Sequence, residues 1–550
     1  MSALVVRGAR LVEPDGGSSS PVDVTVRAGR VESISPAGSA ASGSADVLDA
    51  GGRLLLPGFV DAHVHGEAAV LDEDVQLAML RQGVTSVVVG QDGVSYAPSP
   101  APGEARAPGD AAPSGLHDAA AWASGYFAAI NGEHPTFRGG SVNDLLATYD
   151  GTTRVNVGYL APHGTIRYAV LGAAARAATP AEADRMRALL TAALDDGALG
   201  MSTGLEYVPA TYADEAELVA LTSILAARGL PHVSHMRGYE DKAGPAFAEL
   251  VRVARASGVA THVSHYHGPA AELLGYVDEA HAQGLDVTFD SYPYLRGCSI
   301  LSMVSLPTWL PIADVDATVA ALTDPAVLDR LHREHFPALA DLWPRVTMAA
   351  VPTGTAAGAP EGGPADALAW AEGMTVPDVA ARLGLTPAEA AVHLLVATRL
   401  RASCVFAQPP TNSPESVRAL LRHGAHVGGS DAIYAGGRPH PRGWGAFARF
   451  LAEHVRTLGD WTWHDAVTHL STRPAERFAL TGRGVVTPGA VADLALVDPD
   501  RVRDEATYED PRRPASGVDD VLVAGVPVLH DGSLTDALPG RPLRPGVPTA

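Results

Sequence analysis

The 550 residues carry 40 basic against 62 acidic side chains, a formal charge of −22, which argues against nucleic acid or an anionic membrane surface as a partner. At 46% apolar and 19% charged the chain is no disordered protein, and it is long enough for a barrel of about 200 to 400 residues plus an accessory domain. Cys298 and Cys404 are too few for a disulfide framework. The N-terminus lacks the apolar core of a signal peptide and no 18-residue apolar run follows, so a cytoplasmic protein is expected.

In chain order, Ala3 to Val12, Val22 to Arg27 and Val31 to Ile34 read as short strands rich in valine and isoleucine, separated by Gly, Asp and Ser turns. Leu54 to Val60 reads as a buried strand that ends in His63-Val64-His65. Further strands are expected at Ser86–Gly90, Val155–Tyr159, Ala198–Ser202, His232–His235, Ala260–His265, Asp286–Asp290 and Ala425–Asp431. Helical segments fall between several of them, and Thr179-Pro180-Ala181-Glu182 is a capping box with proline at the first helical position. Eight such strands, with helices between several of them, imply a (β/α)8 barrel, TIM-like, within residues 56–484. Pro98 to Pro113, dominated by Pro, Ala and Gly, is expected to be a mobile loop on the rim. Residues 295–420, with a second capping box at Thr386 to Glu389, interrupt strands seven and eight and are expected to lie over the barrel mouth as a lid. Strand-and-turn patterning returns after residue 485, so residues 1–55 and 485–550 are expected to form a small β-sandwich domain from both chain ends.

Barrel enzymes place their chemistry at the C-terminal ends of the strands. Those ends read His63 and His65 on the first, Asp92 on the second, His235 on the fifth, His265 on the sixth and Asp431 on the eighth. Imidazoles and carboxylates suit zinc or a similar divalent ion, and this many exceed the four that would close a structural site. Such an ion lowers the pKa of bound water and polarises an amide carbonyl. Asp431, read as an unpaired carboxylate, is the expected general acid/base, passing a proton from the water to the leaving nitrogen.

These segments resemble the amidohydrolase superfamily, and within it the N-acyl-D-amino-acid deacylases. The resemblance is carried by Pro57 to His65, Gly83 to Gly90, His163-Gly164-Thr165, Ser202 to Tyr207, Ser234 to Arg237, Val263 to His265, Asp290 to Tyr294, Gly429 to Asp431 and Gly437 to Arg442. It implies hydrolysis of a linear amide, most simply an N-acyl-D-amino acid, with one or two zinc ions as cofactor. His235 and His265 would hold the tighter ion and His63 and His65 the weaker. The family usually has a ligating cysteine where this chain has Asp92 in Gly90-Gln91-Asp92-Gly93. A carboxylate can ligate or bridge, and being harder than a thiolate it leaves manganese or cobalt as alternatives. The family's substrate-carboxylate residues, a lysine, a tyrosine, a serine and an arginine, correspond here to His267, Tyr292, Cys298 and Arg442, with Tyr207 also placed among the substrate contacts. Two of these four depart from the family, which leaves room for a less acidic or neutral N-acyl substrate such as a fatty amide. Cyclic-amide hydrolases commonly bridge their metals with a carboxylated lysine. Lys242 is the only lysine in the barrel reading, and it lies in a loop beyond His235. A non-catalytic scaffold would be expected to lose ligands that are all present here. The oligomeric state is not specified.

Overall fold

Gly58 is where the chain changes sheets. In the computed structural model, which describes residues 3–39, 45–104, 115–352 and 366–548, the expected strand Leu54–Val60 is two strands. Leu54–Pro57 pairs antiparallel with Leu494–Val497, whereas Phe59–Asp61 pairs parallel with Val84–Val89. The Gly58 N–H donates to Asp493 O at 2.8 Å and the next N–H, from Phe59, to Gly83 O at 2.9 Å, so the direction of pairing switches across one residue. A Cβ on Gly58 would stand 2.2 Å from Thr85 Oγ1, so only glycine lets the two sheets approach this closely. An apolar run cannot reveal such a switch, because both halves are equally buried.

The barrel strands are Phe59–Asp61, Val84–Val89, Asn156–Tyr159, Met201–Gly204, His232–His235, Thr261–Val263, Val287–Ser291 and His426–Gly428, all paired in parallel. Most are buried along their whole length, as sheets covered on both faces must be. Two seams close the ring. At one, the third strand turns through Leu160, whose N–H donates to Val89 O, into Ala161–Pro162, which pairs with Met201–Gly204. At the other, the Ala62 N–H donates to Gly428 O at 3.2 Å, and Val64–His65 pairs with Ala432–Ile433. The fourth strand starts at Met201 rather than Ala198, because Leu199 and Gly200 are taken up in bonds to Tyr159 and Ala161 before the ladder begins.

A nine-stranded sheet unites both chain ends, from Leu4–Leu11 through Leu54–Pro57 to Leu494–Val497 and Ser533–Leu534. Its apolar face gathers Val6, Val24, Val31, Leu55, Leu494, Leu496 and Leu522. Both capping boxes form, at Thr179 with Glu182 and at Thr386 with Glu389. Between the seventh and eighth barrel strands the chain builds a three-stranded antiparallel sheet, Arg296–Ile300, Ser403–Ala407 and Val346–Ala350, among its helices. Of the loop expected over Pro98–Pro113, residues 105–113 lie outside the described residues. No single helix among the described residues is long and apolar enough to cross a membrane.

Candidate metal centre

The six side chains read from the strand ends meet at one point. The donor atoms of His63, His65 and Asp431 lie within 4.8 Å of one another, and so do those of His63, Asp92 and His265. His63 Nε2 stands 3.7 Å from Asp92 Oδ1 and 3.5 Å from Asp431 Oδ1, and His65 Nε2 lies 3.6 and 3.5 Å from the same two carboxylates. His235 Nδ1 and His265 Nε2 are 2.9 Å apart and approach Asp92 Oδ2 at 3.6 and 3.5 Å. Asp92 is thus the hub of the four imidazoles, and Asp431 closes one side.

Three of these residues sit in backbone conformations that side chains rarely adopt: φ is +54° at Asp92, +36° at His265 and +51° at Asp431. Short turns leaving the strands aim the donors inward and are held by the surroundings. The His265 N–H donates to Asp290 Oδ1 at 2.8 Å, and the Asp431 N–H to His63 O at 2.8 Å. Gly93 allows the Asp92 turn to press on the fourth strand, since a Cβ there would meet Gly204 N at 2.6 Å.

The outer nitrogens of the imidazoles are taken by partners that fix each ring. His63 Nδ1 is 3.2 Å from Asp290 Oδ2, His65 Nδ1 is 3.2 Å from Asn131 Oδ1, and His235 Nε2 is 2.9 Å from Glu206 Oε2. Asn131 is held in turn by Val94 O, to which it donates at 3.0 Å, and by Glu67. Asp290, Asn131 and Glu206 had no role in the sequence reading. Asp290 and Glu206 lie in segments that stood out, but Asn131 is on a short helix remote in sequence, and no spacing rule points to it.

The donor set fits a divalent cation. His63 Nε2 and Asp92 Oδ1 are buried without a hydrogen-bond partner, which is costly unless something else satisfies them. The charges agree. Burial would depress the His65 imidazole, yet Asp431 and Asp92 raise it to about 10, and Asp92 and Glu206 raise His235 to about 9. Burial would raise Asp92, and the surrounding imidazoles hold it well below the usual carboxylate range instead. A field that keeps protons on clustered imidazoles is one that a cation can fill.

Asp431 is not unpaired as expected. Its Oδ2 meets Arg442 Nη2 at 2.9 Å, leaving Oδ1 towards His63 and His65. Although burial opposes it, Arg442 leads the charges that lower Asp431 to about 2. The guanidinium is fully buried, 4.6 Å over the Tyr292 ring. A cavity of about 610 Å³ opens from the centre and is lined by Tyr207, His267, Tyr292 and Cys298, together with Glu206, Lys242 and Gln408. Arg442 is not among its lining residues. The Tyr207 hydroxyl is 3.1 Å from His235 Nδ1. His267 stacks on Tyr239 with ring centroids 4.9 Å apart, its Nδ1 2.7 Å from His265 O, and burial lowers it to about 4. Burial pushes the Cys298 thiol up to about 11, which fits a lining residue and not a nucleophile.

Comparison with known proteins agrees with this geometry. Residues 46–529 match the model of the amidohydrolase family. The chain is 32% identical to the N-acyl-D-glutamate deacylase of Alcaligenes xylosoxydans xylosoxydans, over 98% of this chain and 96% of the other. It is 29% identical to the D-aminoacylase of the same organism, over 98% and 97%. Among solved structures, the N-acyl-D-glutamate deacylase of Bordetella bronchiseptica, complexed with zinc and a phosphonate mimic of the tetrahedral intermediate, superposes with a TM-score of 0.78. Its identity is 29%, and the match covers 98% of this chain and 99% of that one. The strand-end ligands, the barrel and these matches converge: the chain belongs to the amidohydrolase family.

Proposed function

We propose that the protein is a zinc-dependent deacylase of N-acyl-D-amino acids, which releases a carboxylate and a free D-amino acid. The observation that carries this reading is the convergence of His63, His65, Asp92, His235, His265 and Asp431 on a buried point where His63 Nε2 and Asp92 Oδ1 lack partners. His235, His265 and Asp92 would hold one ion. His63 and His65 would hold a second, with Asp92 between the two. When bound, zinc activates water and polarises the scissile carbonyl.

The chain's own groups do the rest. Arg442 fixes Asp431 through Oδ2, so Oδ1 is the atom that accepts the proton of the attacking water and returns it to the amide nitrogen. An amide nitrogen leaves poorly until protonated, so this second transfer is needed for the amine to depart. Tyr292, Cys298 and His267 orient the amine portion from one side of the cavity, with Tyr207 beside His235. Arg442, over the Tyr292 ring and paired with Asp431, is read as part of the group that holds the substrate's carboxylate.

The excursion over residues 295–420, of which 353–365 lie outside the described residues, is read as a lid. Cys298, Ser299, Met303, Phe406 and Gln408 from this excursion all line the cavity, which supports a role in excluding water. The nine-stranded sheet drawn from both chain ends supports a small β-domain of the sandwich kind over residues 1–55 and 485–550, with residues 56–484 read as the catalytic barrel.

The test is amine release from matched N-acyl-D- and N-acyl-L-amino acids by protein of measured zinc content. Turnover of the D series that rises with zinc occupancy is expected. Preference for the L series, or no turnover at any metal loading, overturns the proposal.

A further inference from the structure

One buried carboxylate beside the centre has no part in the chemistry above. Glu67 lies two residues past His65 and is fully buried. Its Oε1 accepts three hydrogen bonds, from the Gly90 N–H at 3.1 Å, the Ser95 hydroxyl at 2.8 Å and Asn131 Nδ2 at 3.4 Å. Its Oε2 has no hydrogen-bond partner among the described residues. A buried carboxyl with one idle oxygen is costly to the fold, and packing alone gives no reason to keep it.

The three donors lead to two different ligands. Gly90 and Ser95 flank the turn Gln91–Gly93 that presents Asp92. Ser95 is locked from its far side: its N–H donates to Thr165 Oγ1 at 3.0 Å, and that hydroxyl donates to Ser95 O at 2.8 Å. Gly164 lets the same segment press on the turn, since a Cβ there would stand 2.7 Å from Gly93 O. The His163-Gly164-Thr165 stretch thus braces the Asp92 turn. The third donor, Asn131, leads to His65. Its Nδ2 faces two acceptors, Glu67 Oε1 and Val94 O, which settles the way the amide points. Oδ1 is left to accept from His65 Nδ1, so Nε2 is the nitrogen that His65 offers an ion beside Asp92 and Asp431. We propose that Glu67 is a positioning residue for the metal centre, one oxygen aligning the Asp92 turn and the His65 ring together. The proposal rests on the zinc-dependent reading and adds a residue to it.

The experiment measures zinc affinity of the full chain by chelator competition, with melting of the metal-free protein followed beside it. All three donors converge on one oxygen, which the carbonyl of Glu67→Gln can replace. That variant should stay within about threefold of the parent, whereas Glu67→Met should bind zinc about 10–100-fold more weakly. In an Asn131→Ala background Glu67→Met should cost less than it does alone, because one of its two routes is already gone. The proposal is overturned if Glu67→Met binds zinc like the parent, if Glu67→Gln loses as much as Glu67→Met, or if the losses at Glu67 and Asn131 simply multiply. Should Glu67→Met not fold, Ser95→Ala removes a single donor from Oε1. Weakening by about threefold or more is then expected, and unchanged affinity overturns the proposal. Because no substrate enters these measurements, the expected zinc affinities in a protein that cleaves no N-acyl compound keep the role of Glu67 and sink the deacylase reading instead.

Discussion

The turns carrying Asp92 and Asp431 look alike and are wired differently. Each follows a barrel strand, each bears an aspartate at positive φ, and each aspartate faces the same pair of imidazoles, His63 and His65. Asp92 meets four imidazoles, and one of its oxygens is buried with no hydrogen-bond partner. Asp431 gives one oxygen to the guanidinium of Arg442. A carboxylate surrounded by imidazoles is built to share a cation with them. A carboxylate tethered on one side by a fixed positive charge keeps its other oxygen aimed while protons come and go. On the proposed reading, the Asp92 turn would hold the ion and the Asp431 turn would move the proton.

Replacing one carboxylate at a time is the sharpest way to break that comparison. Asp92→Asn should strip the protein of stoichiometric metal and of all detectable turnover, read by elemental analysis beside the amine-release assay. Asp431→Asn should lower kcat by roughly 10²–10⁴-fold while the tighter ion stays bound. If both variants lose metal equally, the division of labour between the turns is wrong. Asn131→Ala removes the partner of His65 without touching the centre, and chelator competition should report weaker metal binding by about 10–100-fold. Unchanged affinity there would mean that His65 needs no outer support. Cys298→Ser should move kcat by less than about threefold, because a neutral thiol at a cavity wall contributes little beyond shape. A large loss would make Cys298 a reacting group instead of a lining residue.

The ligand set was legible in the sequence because barrel topology brings strand ends together whatever lies between them. His63, His65, Asp92, His235, His265 and Asp431 could be gathered from five separate strand ends once eight strands were counted. The groups that aim those ligands were not legible. Asn131 reaches His65 from 66 positions away, and Asp290 reaches His63 from 227, through packing that no periodicity encodes. The Asp431–Arg442 pair was hidden for another reason. The two lie eleven residues apart, but Asp431 reads as an unpaired carboxylate and Arg442 as a partner for the substrate. The antiparallel sheet of the excursion also escaped notice, since Arg296–Ile300 reads Arg-Gly-Cys-Ser-Ile and carries neither alternation nor a β-branched run.

One residue couples the ends of the polypeptide to its chemistry. His63 is five positions beyond Gly58, and the strand before that glycine is clamped by Leu494–Val497, itself supplied by the far terminus. Trimming the C-terminal sixty residues would therefore unpin the lead-in to the first two ligands even though no cut falls near them. Proteolytic nicking at the tail and leakage of zinc should follow the same time course.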